Sequence, residues 1–362
     1  MAGIYIHIPF CKSRCKYCDF FSTTQLEKRE SYIHAVIQEW QAYQSQWRKQ
    51  DIRTIYIGGG TPSLLSIESL QHLLHSILNS INTSRIQEIT IEANPGDITS
   101  DKIQAWRSIG INRLSIGIQS FNDRLLQLVG RRHTAQEAIQ AVRTVQAAGI
   151  TNISIDLMYA LPTQTMAEWQ NDIVQALKLN VPHISSYGLI YEEGTLLTHW
   201  LEQGKLHAID EEQEMLMYDH LVEQLTQHGY EHYEVSNFAL PGLHSKHNSN
   251  YWNDTPYLGL GAGAHSYDGE KRWWNVADID HYINQAVNQR LTPEQETITP
   301  IERHTEHIML GLRTSQGVKC SSVNMDKAKN YIAQGLLQLN GENIVATTKG
   351  YHILNRIIED LV

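Results

Sequence analysis

The chain has 362 residues, of which 41% are hydrophobic and 19% charged, so it has enough apolar side chains for packed cores and wholesale disorder is excluded. Its 29 basic and 39 acidic residues give a net charge of −10, and general nucleic-acid binding, which needs a basic surface, is not expected. No apolar run approaches the ~18 residues that span a bilayer, and no signal peptide is recognised. We expect a cytoplasmic protein with a large α/β domain and a smaller unit.

Short β-branched runs alternate with longer helical patterns over the first half of the chain. The runs predict strands at residues 4–8, 54–57, 88–92, 113–118, 152–157 and 183–189. The intervening patterns predict helices at residues 26–47, 67–81, 100–108, 135–148 and 166–179. This alternation implies a parallel sheet with right-handed crossovers. Periodicity does not decide between a partly closed barrel and an open, doubly wound sheet.

The regular alternation of strand and helix patterns ends at about residue 200. A helix is predicted at 211–227 and a strand at 230–235, followed by a stretch rich in Gly, His and Trp at 242–275 that has no clear periodicity. From about residue 293, short helices and a turn at 345–350 resemble a winged-helix module. Because the chain is acidic and no basic recognition helix is present, a structural role is favoured over DNA binding for this module.

Three of the four cysteines, Cys11, Cys15 and Cys18, fall within eight residues, whereas Cys320 stands alone. Bridges between such close neighbours would stabilise little, and clustered thiols are more often metal ligands. Three thiolates on one loop can hold three corners of a [4Fe–4S] cluster and leave the fourth iron open. The alternative, a zinc site, needs a fourth ligand, for which Asp19, His7 and Cys320 are the candidates. The spacing favours the iron–sulfur interpretation.

Polar and glycine residues follow the predicted strands where each one ends. The cysteine loop follows the first strand, and the glycine run 58–60 follows the second. Glu92, Gln119 and Asp156 end later strands. Ligands of parallel sheets gather at the carboxyl ends of the strands, and glycines let backbone groups approach a ligand closely. The series therefore predicts one ligand site.

Two motifs carry a resemblance to a known family. The segment YIHIPFC at 5–11, which opens the cysteine cluster, and GGGTP at 58–62 resemble the radical S-adenosylmethionine (SAM) superfamily, in particular its oxygen-independent coproporphyrinogen III oxidase-like branch. The resemblance runs over nearly the whole chain. It implies an α/β fold with a partial (β/α)6 barrel and a smaller C-terminal α+β, winged-helix-like region. It also implies a radical SAM core at 1–210 and a C-terminal domain at 211–362.

The resemblance further implies that SAM chelates the open iron of the cluster and is cleaved there to methionine and a 5′-deoxyadenosyl radical. Matching positions of the family then assign the SAM contacts of this chain, residue by residue. They are Tyr5, Tyr17, Gly59, Gly60, Thr61, Glu92, Gln119, Arg131, Asp156 and Gly188. No catalytic residue is assigned.

One departure from the oxidase pattern points to a subgroup. The oxidase has a further cysteine two residues after the third, where this chain has Phe20, so porphyrinogen decarboxylation is not expected. The chain instead resembles the HemW-type haem chaperones, whose H-N-x-x-Y-W pattern fits HNSNYW at 247–252. The glycine-rich stretch 257–266 is typical of the same branch.

A haem site follows from the same resemblance. His247 offers an imidazole for iron, and Tyr251 and Trp252 offer aromatic faces for a macrocycle. The alternative is that His247 forms hydrogen bonds within a loop while the two aromatic residues fill an interface. His244, His265 and Cys320 are other candidate ligands.

Three functions from different classes are therefore compared: a haem chaperone, a coproporphyrinogen III oxidase and a structural zinc protein. The chaperone interpretation is favoured, with a [4Fe–4S] cluster and SAM as cofactors and haem as bound cargo. It implies haem-accepting proteins, such as respiratory haem proteins, as partners. A peripheral membrane contact and a homodimer are further possibilities that the resemblance leaves open.

Overall fold

Six parallel strands lie side by side in the order in which they occur along the chain. The computed structural model describes residues 1–362. The strands are β1 (Ala2–Ile8), β2 (Ile52–Gly59), β3 (Glu88–Ala93), β4 (Arg113–Gln119), β5 (Asn152–Tyr159) and β6 (His183–Gly188). Each corresponds to a predicted strand, and no strand end is displaced by more than two residues. The predicted parallel sheet is confirmed.

Helices connect these strands and cover the sheet. They are α1 (Arg29–Trp47), α2 (Ile67–Leu78), α3 (Ser100–Ser108), α4 (Asp123–Leu128), α5 (Ala135–Ala147) and α6 (Met166–Lys178). The short α4 was not predicted, because six residues give too few turns for a periodic pattern. The chain itself sets the bounds of α5: Thr134 and Glu137 form a capping box, and Gly149, with a φ of +80°, follows its C-terminal end.

Residues after β6 extend the sheet at both edges. The elements are α7 (Leu196–Glu202), α8 (Glu211–Gln227), β7 (Glu231–Glu234), β8 (Asn237–Ala239), α9 (Lys246–Trp252), β9 (Tyr257–Leu260), β10 (His265–Tyr267), β11 (Lys271–Trp274), α10 (Ile279–Val287) and β12 (Glu294–Thr297). β9 pairs in parallel with β1, and β8 pairs antiparallel with β6. The result is a mixed sheet of twelve strands in the order β12-β11-β10-β9-β1-β2-β3-β4-β5-β6-β8-β7. Its two outermost strands do not pair, so the barrel is partial and not closed.

The C-terminal region has a core of its own. Its elements are α11 (Pro300–Gly311), β13 (Val318–Lys319), α12 (Met325–Ala333), β14 (Leu337–Asn340), β15 (Asn343–Ala346), α13 (Thr348–Tyr351) and α14 (Leu354–Leu361). The three strands form a small antiparallel sheet, and ten buried residues of this region form a core separate from the main one. The expected smaller α+β region is confirmed. The division between residues 210 and 211 stays a proposal, since the residues that follow it contribute both to the main sheet and to this region.

None of the helices combines the length and the apolar character needed to cross a membrane.

Candidate functional site

The three clustered cysteines lie on the loop that leaves the carboxyl end of β1. Cys11 is buried, and Cys15 and Cys18 are half-buried. The loop is tied to neighbouring segments through its backbone: the Cys11 amide donates to the carbonyl of Thr23 over 2.8 Å, and the Lys16 amide donates to that of Val129 over 3.0 Å. Three thiols are thus presented from one fixed loop, as a cluster with three protein ligands requires.

Two side chains contact the thiols from other segments: Thr61 follows β2, and Arg131 lies between α4 and α5. Thr61 donates its hydroxyl to Cys11 Sγ over 3.4 Å, and Arg131 Nη1 lies 3.5 Å from Cys15 Sγ. Burial raises the pKa of Cys11, and burial together with the neighbouring cysteines raises the pKa of Cys18 to about 11. The guanidinium of Arg131 places a positive charge beside the cysteine loop and opposes the effect of burial on the pKa of Cys11.

The glycine run after β2 packs directly against the cysteine loop. Gly59 has a φ of +111°, and a Cβ there would lie 2.6 Å from the His7 ring. A Cβ on Gly60 would lie 3.0 Å from Cys11 Sγ and 2.9 Å from the backbone of Pro9. Any larger residue would push the two loops apart, so the glycines are required by this close approach.

Two half-buried carboxylates line the interior beneath these loops. Glu92 accepts hydrogen bonds from Tyr56 Oη over 2.8 Å and from the Gly59 amide over 3.0 Å. Asp156 accepts from Ser115 Oγ over 3.2 Å. Burial raises the pKa of Glu92 to about 7 and that of Asp156 to about 6, and the nearby Asp156 adds to the rise at Glu92. A cationic or hydroxyl-bearing ligand would stabilise the charged form of carboxylates in such surroundings.

A cavity of about 390 Å³ brings these groups together. All three clustered cysteines line it, beside most of the residues that the family resemblance assigned to SAM. These are Tyr17, Gly59, Gly60, Thr61, Glu92, Gln119, Arg131, Asp156 and Gly188. Gln119, which lines the cavity, adopts a φ of +73° at the end of β4, where the pairing of β4 with β5 shifts its register. Arg131 is fixed by a hydrogen bond from its guanidinium to the carbonyl of Gly117.

Tyr5 is the exception among the predicted SAM residues. It does not line the first cavity but a second one of about 410 Å³, together with Tyr56 and Glu92. Its hydroxyl lies 3.0 Å from Nδ1 of His7, whose Nε2 lies 2.9 Å from the carbonyl of Phe21. The phenol therefore supports the cysteine loop through His7.

The second cavity is bounded by the HNSNYW segment, which forms α9. Glu88 holds the start of this helix by accepting hydrogen bonds from the backbone amides of Lys246 and His247, each over 3.0 Å. His247, Tyr251 and Trp252 all line the cavity. The three residues thus line one cavity, and their contribution to haem binding stays a prediction.

Both ring nitrogens of His247 have partners inside the protein. Nδ1 lies 2.9 Å from Thr54 Oγ1 and Nε2 lies 3.1 Å from the hydroxyl of Tyr251, and the ring stacks on Tyr56 at 5.1 Å. Burial lowers the pKa of His247 to about 3, so the imidazole is neutral. In this conformation His247 fixes the walls of the cavity, and ligation of iron would require its bond to Tyr251 to break.

The other candidate ligands lie outside both cavities. His244 stacks on Tyr233 and pairs with Glu231, His265 stacks on Trp274, and Cys320 packs against the separate C-terminal core. No set of three His, Cys, Asp or Glu side chains, the clustered cysteines included, is arranged to hold a single metal ion. With His7 engaged at both nitrogens and Cys320 remote, the zinc alternative lacks two of its three proposed fourth ligands.

Sequence reasoning missed the apolar part of the first cavity. Phe20, Met158, Tyr187 and Ile190 all line it. Met158 lies within β5 and Ile190 follows β6, so the rule that ligand residues cluster at strand ends identifies both positions. Sequence reasoning selects the polar residues and glycines at these ends, because apolar residues are expected in a core.

Comparison with known proteins places the chain in a family. The Radical SAM superfamily profile matches residues 5–175, and the profile of the HemN C-terminal domain matches residues 298–353. Heme chaperone HemW of Lactococcus lactis is 38% identical over 98% of this chain and 96% of its own length. Heme chaperone HemW of Bacillus subtilis is 39% identical over 88% of this chain and 85% of its own length.

A solved structure confirms the fold. Coproporphyrinogen III oxidase (HemN) from Escherichia coli, described as a radical SAM enzyme, superimposes with a TM-score of 0.85 over 99% of this chain and 89% of that one, at 22% identity. This likeness extends the shared fold through the C-terminal region. With the two profiles and the near full-length relatives, it leads to one conclusion: the chain belongs to the radical SAM superfamily and, within it, to the HemW family.

Proposed function

We propose that this protein is a haem chaperone: it binds haem and passes it to haem proteins, and it holds a [4Fe–4S] cluster and SAM. The observation that carries the proposal is the similarity, at 38% identity over 98% of the chain, to a protein named heme chaperone. The joint placement of the three cysteines and the SAM-type contacts around one cavity supports the cofactor part. Haem-accepting proteins, such as respiratory haem proteins, are the proposed partners.

The residues at the first cavity fit the two cofactors. Cys11, Cys15 and Cys18, which all line the cavity, would hold the cluster and would leave one iron without a protein ligand. Such a cluster, when bound, supplies one electron for the reductive cleavage of SAM. Gly59 and Gly60 line the cavity and carry no side chain that would stand between their backbone and the methionyl end of SAM. The remaining seven predicted contacts in this cavity surround the space where the rest of SAM would lie.

Adding SAM to the reduced, reconstituted protein is expected to change the electron paramagnetic resonance spectrum of the cluster. Glu92→Gln should require at least tenfold more SAM for the same change, because the uncharged carboxamide removes a carboxylate that lines the cavity and has one oxygen, where Glu92 has two, to accept from the Gly59 amide and the Tyr56 hydroxyl. Glu212→Gln, at an exposed position of α8, is the matched control and should behave as wild type. A spectrum that stays unchanged at saturating SAM would exclude direct coordination.

The main alternative is an oxygen-independent coproporphyrinogen III oxidase, favoured by the shared fold. Phe20 stands where the oxidase pattern has a cysteine, and this departure favours the chaperone. We expect the anaerobically reconstituted protein to form no protoporphyrinogen from coproporphyrinogen III when SAM and a reductant are present. Product formation over many turnovers would replace the chaperone proposal with the oxidase.

We further propose that His247, Tyr251 and Trp252 contribute to haem binding through the second cavity. His247→Ala is expected to weaken haem binding by about tenfold, because the loss of its contacts to Thr54 and Tyr251 loosens the cavity wall. Haem absorbance titrations measure this, and the iron–sulfur content should stay intact.

The spectrum distinguishes two roles for His247. A weaker complex with an unchanged haem spectrum indicates positioning, whereas a shifted spectrum indicates direct ligation. His244→Ala is the matched control, since that imidazole pairs with Glu231 outside the cavity. If His247→Ala leaves both affinity and spectrum unchanged, the residue has only a structural role.

A further inference from the structure

Two large apolar side chains stand unusually exposed at the mouth of the first cavity. Phe20 is 65% exposed and Ile190 is 68% exposed, and both line this cavity. Phe20 follows β1 and Ile190 follows β6, which are the first and last strands of the six-stranded parallel arc. The two residues thus approach one cavity from the two ends of the arc, and an apolar ligand between them would cover both.

Tyr187 continues this apolar lining inwards. It is 42% exposed and lines both the first and the second cavity, which places its ring between the cysteine site and the HNSNYW segment. Aromatic rings gain from stacking on a flat aromatic system, in addition to the area that is buried. Phe20, Tyr187 and Ile190 together therefore suit a flat, apolar-faced ligand better than a compact polar one.

The charge at the mouth indicates an anionic edge on that ligand. Arg14 lines the cavity and forms no ion pair; its one hydrogen bond is a long one of 3.4 Å from Nη2 to the carbonyl of Cys18. Arg132, by contrast, pairs with Asp97. Asp19 and Glu192 also line the cavity, so the mouth as a whole is not basic and Arg14 is the one guanidinium there that is open to a carboxylate.

We propose that the face of haem packs against Phe20, Tyr187 and Ile190, and that Arg14 binds one of its propionates. The inference rests on the proposed chaperone function and adds a second part to the proposed haem site: the mouth of the cavity that the cysteines line, which Tyr187 joins to the second cavity with His247, Tyr251 and Trp252. It also gives Phe20 a function, since the residue that departs from the oxidase pattern becomes a haem contact.

The test is a titration of cluster-reconstituted, full-length protein with ferric protoporphyrin IX, followed by its Soret absorbance. The Phe20→Ser/Ile190→Ser double variant should bind at least tenfold more weakly, because each serine removes most of an apolar contact worth about a factor of ten. Both side chains are largely exposed, so folding should be unaffected, and haem binding is compared at equal iron–sulfur content of the wild-type and variant proteins. Ile301→Ser, at a residue of α11 that is 79% exposed and lines neither cavity, is the matched control.

Arg14→Gln provides a second readout. It should weaken binding of the dicarboxylate several-fold while leaving binding of the dimethyl ester of the same porphyrin unchanged. If wild type binds haem and the double variant binds it equally well, the proposed contacts of Phe20 and Ile190 are wrong, while the chaperone proposal stands. Equal losses of affinity in the double variant and in Ile301→Ser would lead to the same conclusion. If wild type itself binds no haem, the proposed function fails first.

Discussion

Replacing Cys11, Cys15 and Cys18 together with alanine is expected to reduce the iron and sulfide content of the anaerobically reconstituted protein to background. Each single replacement should remove most of the cluster, because two thiolates on one loop do not hold four irons. Cys320→Ala is the matched control and should keep full content, since that residue packs against the C-terminal core. Full cluster content in the triple variant, or its loss in Cys320→Ala, would contradict the assignment.

The second large effect concerns Glu39 of α1, which is buried and joins three segments. Its carboxylate accepts hydrogen bonds from the Gly261 amide over 2.8 Å, from Asn275 Nδ2 over 2.7 Å and from Tyr282 Oη over 2.6 Å. These partners belong to the segment between β9 and α10 and to α10 itself. The carboxylate is therefore the polar link between α1 and the part of the chain that extends the sheet beyond β1.

Glu39→Ala is expected to lower the apparent free energy of unfolding by about 3 to 5 kcal/mol, because it leaves buried donors without an acceptor and opens a cavity. Urea titration followed by circular dichroism measures the change. Glu27→Ala, at an exposed position just before α1, should change stability by less than about 0.5 kcal/mol. A Glu39→Ala variant as stable as this control would show that the link does not stabilise the fold.

The pH dependence of the free energy of unfolding is a second test of the role of Glu39. Burial raises the pKa of Glu39 to about 7, above the ordinary value of a glutamate. The folded protein then binds a proton more tightly than the unfolded chain, so this stabilising contribution is present at low pH and is lost as the pH rises towards 7. Burial also raises the pKa of other carboxyl groups, so the wild-type protein alone does not isolate the effect of Glu39. The measured quantity is therefore the difference in the free energy of unfolding between the wild-type protein and Glu39→Gln, whose side chain cannot titrate. That variant should lose stability less steeply between pH 5 and pH 7.

The parallel half of the fold could be predicted because its strands are short, β-branched and separated by well-marked helices. The segment 242–275 could not, since α9, β9, β10 and β11 are each too short to show a period. Their positions depend on tertiary contacts: Glu88 fixes the start of α9, and β1 provides the edge that β9 joins. Such contacts join residues far apart in sequence, which a pattern of neighbours does not reveal.

The polar part of the site could also be predicted, because Glu92, Gln119 and Asp156 follow the rule that ligand residues lie at or near strand ends. The rule does not show which way a side chain turns within its strand. Tyr5 lies in β1, close to the cysteine loop in sequence, yet it lines the other cavity because side chains alternate along a strand. The sequence likewise does not show that Phe20 and Ile190 are exposed beside the same cavity, because they lie 170 residues apart and only the fold brings the two ends of the arc together.

Titration of the wild-type, cluster-reconstituted protein with ferric protoporphyrin IX tests the central claim most directly. We predict saturable binding with a defined ratio of haem to protein and a distinct Soret band, followed by transfer of the haem to an added apo-haem protein. Absorbance that rises linearly with added haem, without saturation and without a protein-specific spectrum, would contradict the chaperone function.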